Sequence, residues 1–210
     1  MFSSIGLGNS VVEHALLFLK APSNIEKQVR VIRTLLYRER NLTSALALPV
    51  MIPLCFVPPQ WSSRKRAERR EAMFRAVGKT APLLRSGSIL RVENALMWEL
   101  EPAEDLERLK LSCEQAFCVE ESAERTASGL FPVARGFYLG SSAHEASAPP
   151  PAPEPLRFPA LAAILLHVHG LKLQREAING EAAGAPAADA APWWRSVFWE
   201  QVERIPLRKG

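Results

Sequence analysis

An α+β fold of two similar lobes, each built on an antiparallel sheet, is predicted by three features of this chain. Strand-like and helix-like patterns alternate along it, the order strand, helix, strand occurs twice, and the composition is that of an ordinary globular protein, 48% hydrophobic and 23% charged. At 210 residues the chain fits one two-lobed domain over 1–210, with lobe elements at 11–57 and 94–140. A chain of this size buries roughly 70% of its unfolded surface, so it needs no staples to hold a core.

The first repeat opens with Val11 to Lys20, whose apolar run Val12, Leu16, Leu17, Phe18 and Leu19 suits a strand covered on both faces. Pro22 and Ser23 then start a helix to about Tyr37, with Ser23 and Glu26 at capping-box spacing. Ile25, Val29, Ile32 and Leu36 form its inner stripe, which leaves Glu26, Lys27, Arg30 and Arg33 largely outside. An apolar strand follows through Met51, Ile52, Pro53 and Leu54. Pro49 and Pro53 each remove a ladder donor, so this strand must be bulged or at an edge.

Between the repeats, Arg64 to Val77 reads as a basic helix with Ala67, Phe74 and Val77 inward and Gly78 as its C-cap. Leu83 to Val92 and Asn94 to Leu100 read as an antiparallel pair turning around Glu93 and Asn94. The second repeat is the strand from Asn94, a helix from Pro102 to Cys118, and a strand from Leu130 to Gly140. Glu104 and Asp105 occupy that helix's first turn, where the dipole favours acids, and Leu106, Leu109, Cys113, Ala116 and Phe117 make its inner stripe. Glu120 to Gly129 is polar and loop-like.

Ser141 to Pro155 holds Pro149, Pro150, Pro151, Pro153 and Pro155, which preclude regular hydrogen-bonded structure. Mobile loops are therefore expected over 141–156 and, in an Ala/Gly/Pro-rich excursion, over 179–192. Leu161 to Leu173 and Trp193 to Leu207 read as strands that pair as a hairpin with a long tip.

Composition also narrows the chemistry. Cys55, Cys113 and Cys118 lie in apolar stretches rather than at metal spacing, so they read as buried thiols of a reducing compartment, with no metal or cofactor implied. No run of eighteen apolar residues exists and the N-terminus lacks a basic leader, so a cytoplasmic protein without membrane partners is expected. The net charge of +4 permits anionic partners but is mild beside dedicated nucleic-acid binders.

The duplicated layout, with Met51-Ile52-Pro53-Leu54-Cys55-Phe56, Gly136-Phe137-Tyr138-Leu139-Gly140 and the closing Val202-Glu203-Arg204-Ile205-Pro206-Leu207, resembles the 2H phosphoesterase superfamily. That group includes the bacterial RNA 2′,3′-cyclic phosphodiesterases once called 2′-5′ RNA ligases. The resemblance implies two lobes facing across a central cleft, each presenting a His-x-Thr or His-x-Ser motif on a strand. One imidazole would take a proton from the attacking hydroxyl or water and the other give one to the leaving oxygen, while the hydroxyls two residues on bind phosphate oxygens. Here Met51 and Pro53, then Gly136 and Tyr138, stand at those places, with Cys55 further along the first strand. Met and Gly transfer no protons, and losing the acid and the base removes effects worth about 10²- to 10⁴-fold each. The resemblance thus implies a catalytically inactive protein whose cleft, lined by Met51, Pro53, Cys55, Gly136 and Tyr138, binds RNA, a nucleotide or a partner segment.

Three other groups compete for a role. His167 and His169 share a strand face by period two and could supply relocated acid-base groups or metal ligands, with His14 approaching from the first strand; against this, no third ligand is identifiable. Arg64, Lys65, Arg66, Arg69, Arg70 and Arg75 could contact phosphates or simply be a solvated helix face paired with Glu68 and Glu71. The aromatics Trp193, Trp194, Phe198 and Trp199 could stack on bases or serve as a protein-interaction surface; for Phe198 and Trp199 the expectation is core packing, and for the Trp193-Trp194 pair one exposed ring.

Overall fold

A run of five apolar residues makes β1 (His14–Lys20) a central strand: Ala15, Leu16, Leu17, Phe18 and Leu19 are all buried, so both of its faces are covered. In the computed structural model, residues 14–42, 49–58, 60–92, 95–117, 135–141, 149–169 and 198–208 are described. Outside them lie the expected strand residues 11–13, 130–134 and 170–173, the turn at Glu93 and Asn94, the loops at 120–129 and 179–192, and Cys118, Trp193 and Trp194.

Helix α1 (Ser23–Arg40) runs almost a turn beyond expectation and ends where Asn41 turns left-handed at φ 52°. Pro22 is its N-cap, without a side-chain cap bond, so Ser23 is the first helical residue and the anticipated capping box does not form. Its buried stripe is Ile25, Val29, Ile32, Arg33 and Leu36. Arg33, expected outside, is inside.

Strand β2 (Ile52–Val57) is both an edge strand and bulged, which accommodates Pro53. A short helix α2 (Gln60–Ser63) precedes α3 (Arg66–Val77). The buried face of α3 is Ala72, Met73, Ala76 and Val77, while Ala67 is exposed and Phe74 only partly covered. The face is rotated from the expected one because Arg69 occupies its first turn, drawn in by a carboxylate on the sheet beneath. Gly78 ends the helix at φ 70°, a conformation costly for other residues.

The remaining elements are β3 (Leu83–Val92), β4 (Ala95–Glu101), α4 (Ala103–Phe117), β5 (Gly136–Ser141), β6 (Arg157–Pro159), β7 (Ala162–His169) and β8 (Phe198–Pro206). The prolines at 149–155 run without regular structure. They lead into the unforeseen short strand β6, entered where Leu156 exchanges hydrogen bonds with Ser86 at 2.9 Å.

Two four-stranded antiparallel sheets result, in the orders β2-β1-β7-β8 and β5-β4-β3-β6. The repeats β1-α1-β2 and β4-α4-β5 occupy equivalent places, each with its last strand at the sheet edge. Each helix also reaches across: α1 packs against β5 and α4 against β2. The larger apolar core lies between sheets and helices, with Trp98, Phe117, Phe137 and Ile25 among its fully buried members. The opposite sheet faces meet in a second cluster of Leu16, Phe18, Met97, Tyr138, Ala162, Ile164, Leu166 and Val168.

Candidate functional site

The second cluster marks where a cleft between the lobes would lie, and strand register decides which side chains reach it. On β2 the partners are Phe18↔Pro53 and then Leu17↔Cys55, so Leu54 is the extra residue of a bulge. On β5 they are Met97↔Tyr138 and then Leu96↔Gly140, so Leu139 is the extra residue there. The two bulges occupy equivalent places. Counting back from each, Pro53 corresponds to Tyr138 and Met51 to Gly136.

Tyr138 belongs to the inter-sheet cluster, Met51 packs partly buried against it, and Pro53 is buried opposite Phe18, itself a member. Cys55 is different. The bulge at Leu54 shifts the alternation, pairs Cys55 with Leu17, and turns its thiol into the helix-side core beside Cys113 of α4. Cys55 is therefore not a cleft residue, and its full burial, followed by the contact with Cys113, pushes its thiol pKa well above the ordinary value. Phe56, not singled out from sequence, takes the place on the cleft side.

Gly136 also departs from expectation. A Cβ added to it would lie 2.0 Å from the Trp98 carbonyl oxygen and 2.9 Å from its carbon. The β4 backbone fills the space a side chain would need, so Gly136 lines nothing and has no room for a histidine.

Among the described residues the inter-sheet face is predominantly apolar. Leu16, Phe18, Met97, Tyr138, Ile164, Leu166 and Val168 are all buried, and Phe18 meets Trp199 edge-on at 5.8 Å between ring centroids. His167 does not enter it. Strand β7 pairs with β1 without interruption, so His167 alternates with Leu166 and Val168 and shares the face of Ala163 and Leu165, in the helix-side core. The expectation that His167 could face Met51 and Tyr138 is thus overturned by period two. His169 stands opposite Phe198 at the end of β7, and His14 opposite Val168. Among the described residues no group of three or more His, Cys, Asp or Glu is placed to hold a metal ion.

The basic helix lies on the far side of the first sheet. Glu203, paired with Leu165 on β8, points away from the cleft cluster and is buried. Its carboxylate receives Arg66 Nε at 3.3 Å, Arg69 Nη2 at 3.7 Å and Arg70 Nη1 at 3.2 Å. Three of the six candidate phosphate contacts are thus anchored on a carboxylate, though Arg66 remains 74% exposed. Arg64 pairs with Glu68 at 3.3 Å and lies 4.8 Å over the Trp61 ring, while Lys65 is exposed just before α3.

Sequence reasoning missed Arg33. Its guanidinium, 3% exposed, donates through Nε to the Tyr138 carbonyl at 3.0 Å and through Nη2 to the Tyr138 and Pro49 carbonyls at 2.5 and 3.3 Å. Burial, opposed by Tyr138 and reinforced by Arg30, brings its pKa down from the ordinary guanidinium value to about 10. The group ties α1 to β5 beside the Leu139 bulge. Its place in the stripe, four residues after Val29 and three before Leu36, was the signal.

Several solved structures share this fold. E. coli LigT complexed with NADP+ has a TM-score of 0.55 at 13% identity, over 94% of this chain and 99% of that one. TT0787 of Thermus thermophilus gives 0.57 at 14% identity, over 93% and 98%, and a phosphoesterase crystal structure gives 0.55 at 11%, over 93% and 98%. No family profile matches the sequence, and no curated protein matches it. At such identities the likeness is one of fold: the α+β, two-sheet architecture of LigT-like 2H phosphoesterases.

Proposed function

We propose that this chain is a catalytically inactive 2H phosphoesterase-like protein that acts by binding RNA or a nucleotide. The observation that carries the reading is the state of the two equivalent positions beside the bulges. Met51 offers a thioether and Gly136 offers nothing, and the buried surface between them is apolar apart from the Tyr138 hydroxyl. Neither position supplies an imidazole, and a largely apolar floor would penalise the charge that phosphoryl transfer develops. A nucleotide class of ligand is supported by the LigT structures complexed with NADP+ and with ATP. Charge favours a contact outside that apolar centre: residues 64 to 79 carry seven basic and two acidic side chains, against a net of +4 for the whole chain. Arg64, Lys65 and the exposed Arg66 are the phosphate contacts this surface offers. A second reading, a protein partner at the end of β8, is favoured by Phe198, which is 64% exposed on an edge strand rather than in the core as expected.

The test is a titration with short RNA oligomers ending in a 2′,3′-cyclic phosphate, following binding and end-group hydrolysis together at two salt concentrations. Binding that weakens steeply with salt, without hydrolysis, is the expected result. Turnover that disappears in a His167→Ala, His169→Ala double variant would replace this reading with relocated catalysis. Absence of both binding and turnover would move the search to protein partners of the Phe198 end.

A further inference from the structure

Three strands of the second sheet bring charged side chains into one row. Arg157 on β6 stands directly opposite Arg85 on β3, and Arg85 stands opposite Glu101 on β4. Direct antiparallel partners share a face. The alternating neighbours Leu84, Ser86, Leu100 and Phe158 are buried on the other face, so the row looks out from the same side of the sheet as Met97 and Tyr138. A pocket of about 280 Å³ opens over it, lined by Leu83, Leu84, Arg85, Glu101, Pro102 and Arg157.

Like charges directly opposite one another weaken a sheet. Glu101 relieves Arg85 only slightly: their contact is 3.7 Å, with side chains 50% and 52% exposed, where water screens most of the attraction. Among the described residues Arg157 makes no ion pair. Two arginines at directly paired positions therefore line one pocket, with one positive charge in excess over Glu101, an arrangement that an anion would stabilise.

We propose that this pocket binds the phosphate group of a small phosphate monoester, shared between Arg85 and Arg157, with the organic part of the ligand against Leu83 and Pro102. A carboxylate has two oxygens and is matched by one arginine fork, whereas a phosphate has enough oxygens to engage two forks at once. The volume is at the low end for small-molecule sites, which suits a sugar phosphate or mononucleotide and not an oligomer. Leu83, 62% exposed at the rim, supplies apolar surface that a free phosphate ion would leave unused.

Calorimetric titration of the full chain at low salt tests the assignment, with ribose 5-phosphate, inorganic phosphate and benzoate as probes. Ribose 5-phosphate should bind saturably and more tightly than inorganic phosphate. Arg157→Ala should weaken it about tenfold or more, the loss expected of one charge-assisted fork. Glu101→Gln should tighten it, and Arg66→Glu on α3 should leave it unchanged. No saturable binding by the wild type, or unchanged binding by Arg157→Ala, would overturn the site. Benzoate binding as tightly would overturn the phosphate preference, and equal binding of inorganic phosphate would overturn the role of Leu83 and Pro102. RNA binding that is lost on changing α3 but survives Arg157→Ala would keep the two surfaces distinct.

Discussion

Replacing Gly136 by alanine asks whether the second motif position can accept any side chain. The added Cβ would lie 2.0 Å from the Trp98 carbonyl oxygen, where ordinary contact begins near 3.4 Å, so the two backbones must separate by about 1.4 Å. A ladder strand cannot absorb that shift in place. The least costly escape is for the start of β5 to peel from β4, which breaks the Gly136↔Glu99 pairing and the 2.7 Å bond from Leu100 N–H to the Arg135 carbonyl. At about 1–1.5 kcal/mol for each hydrogen bond lost, Gly136→Ala should cost about 2–3 kcal/mol. For a chain of this length that lowers the melting temperature by about 5–10 °C. Urea and thermal unfolding followed by circular dichroism would measure it, with Met51→His, at a partly buried site with no such backbone contact, as the milder comparison. The same reasoning predicts that a Met51→His, Pro53→Thr, Gly136→His triple variant gains no turnover of a 2′,3′-cyclic phosphate end. A Gly136→Ala protein that melts with the wild type, or a triple variant that turns over, would refute the argument from the β4 backbone.

Glu203→Gln leaves Arg69 and Arg70 facing a neutral group and should cost about 2–3 kcal/mol in urea unfolding, since the exposed Arg66 contributes little. Arg33→Met should abolish an alkaline signature: with a native pKa of about 10, below the ordinary guanidinium value that the unfolded chain keeps, the native state binds fewer protons between the two. Wild-type stability therefore rises relative to the variant as pH climbs above about 10, measurable by denaturant midpoints on the alkaline side. Cys55 has the opposite sign. Its raised native pKa makes the native state hold the proton longer, so its contribution is complete below about 9 and lost above it; Cys55→Ala should flatten that fall, and the native thiol should resist alkylation until the protein unfolds.

The duplicated architecture was legible because both repeats carry strong apolar periodicity: the stripes Ile25-Val29-Ile32-Leu36 and Leu106-Cys113-Phe117 face the core as their spacing required. That β2 is bulged or at an edge followed from Pro49 and Pro53, and it is both. What escaped detection depended on contacts distant in sequence. Arg33 was assigned outward because a guanidinium is costly to bury, yet the free carbonyls of Tyr138, 105 residues away, and of Pro49 compensate it. The α3 face was misplaced because Arg69 counted as solvent-facing until Glu203, on a strand near the chain end, supplied a buried partner. Cys55 was assigned to the cleft by simple alternation, which a one-residue bulge reverses. Strand β6 is three residues long behind a run of prolines, too short to show a period of its own.

The two equivalent positions, Met51 and Gly136, differ in their surroundings. Arg33 and Cys113 stand at the same position in their helices, each ten residues after the first, and each reaches the other repeat's edge strand beside its bulge. One contact is a buried cation on backbone carbonyls; the other is a pair of thiols packed in hydrocarbon. Where the cation holds β5, Gly136 is pressed onto the β4 backbone; where the thiols hold β2, Met51 keeps a side chain that leans into the inter-sheet cluster. On this argument, catalytic groups cannot be restored by exchanging side chains at the motif positions alone, because the strand that would carry the second histidine lies too close to its neighbour. Loosening β5 through Arg33→Lys, which keeps the charge but loses the fork, should ease the penalty of Gly136→Ala in a double-mutant cycle, with the combined cost below the sum of the two. Strict additivity would mean that the β4–β5 contact is set by the strands themselves and not by the helix above them.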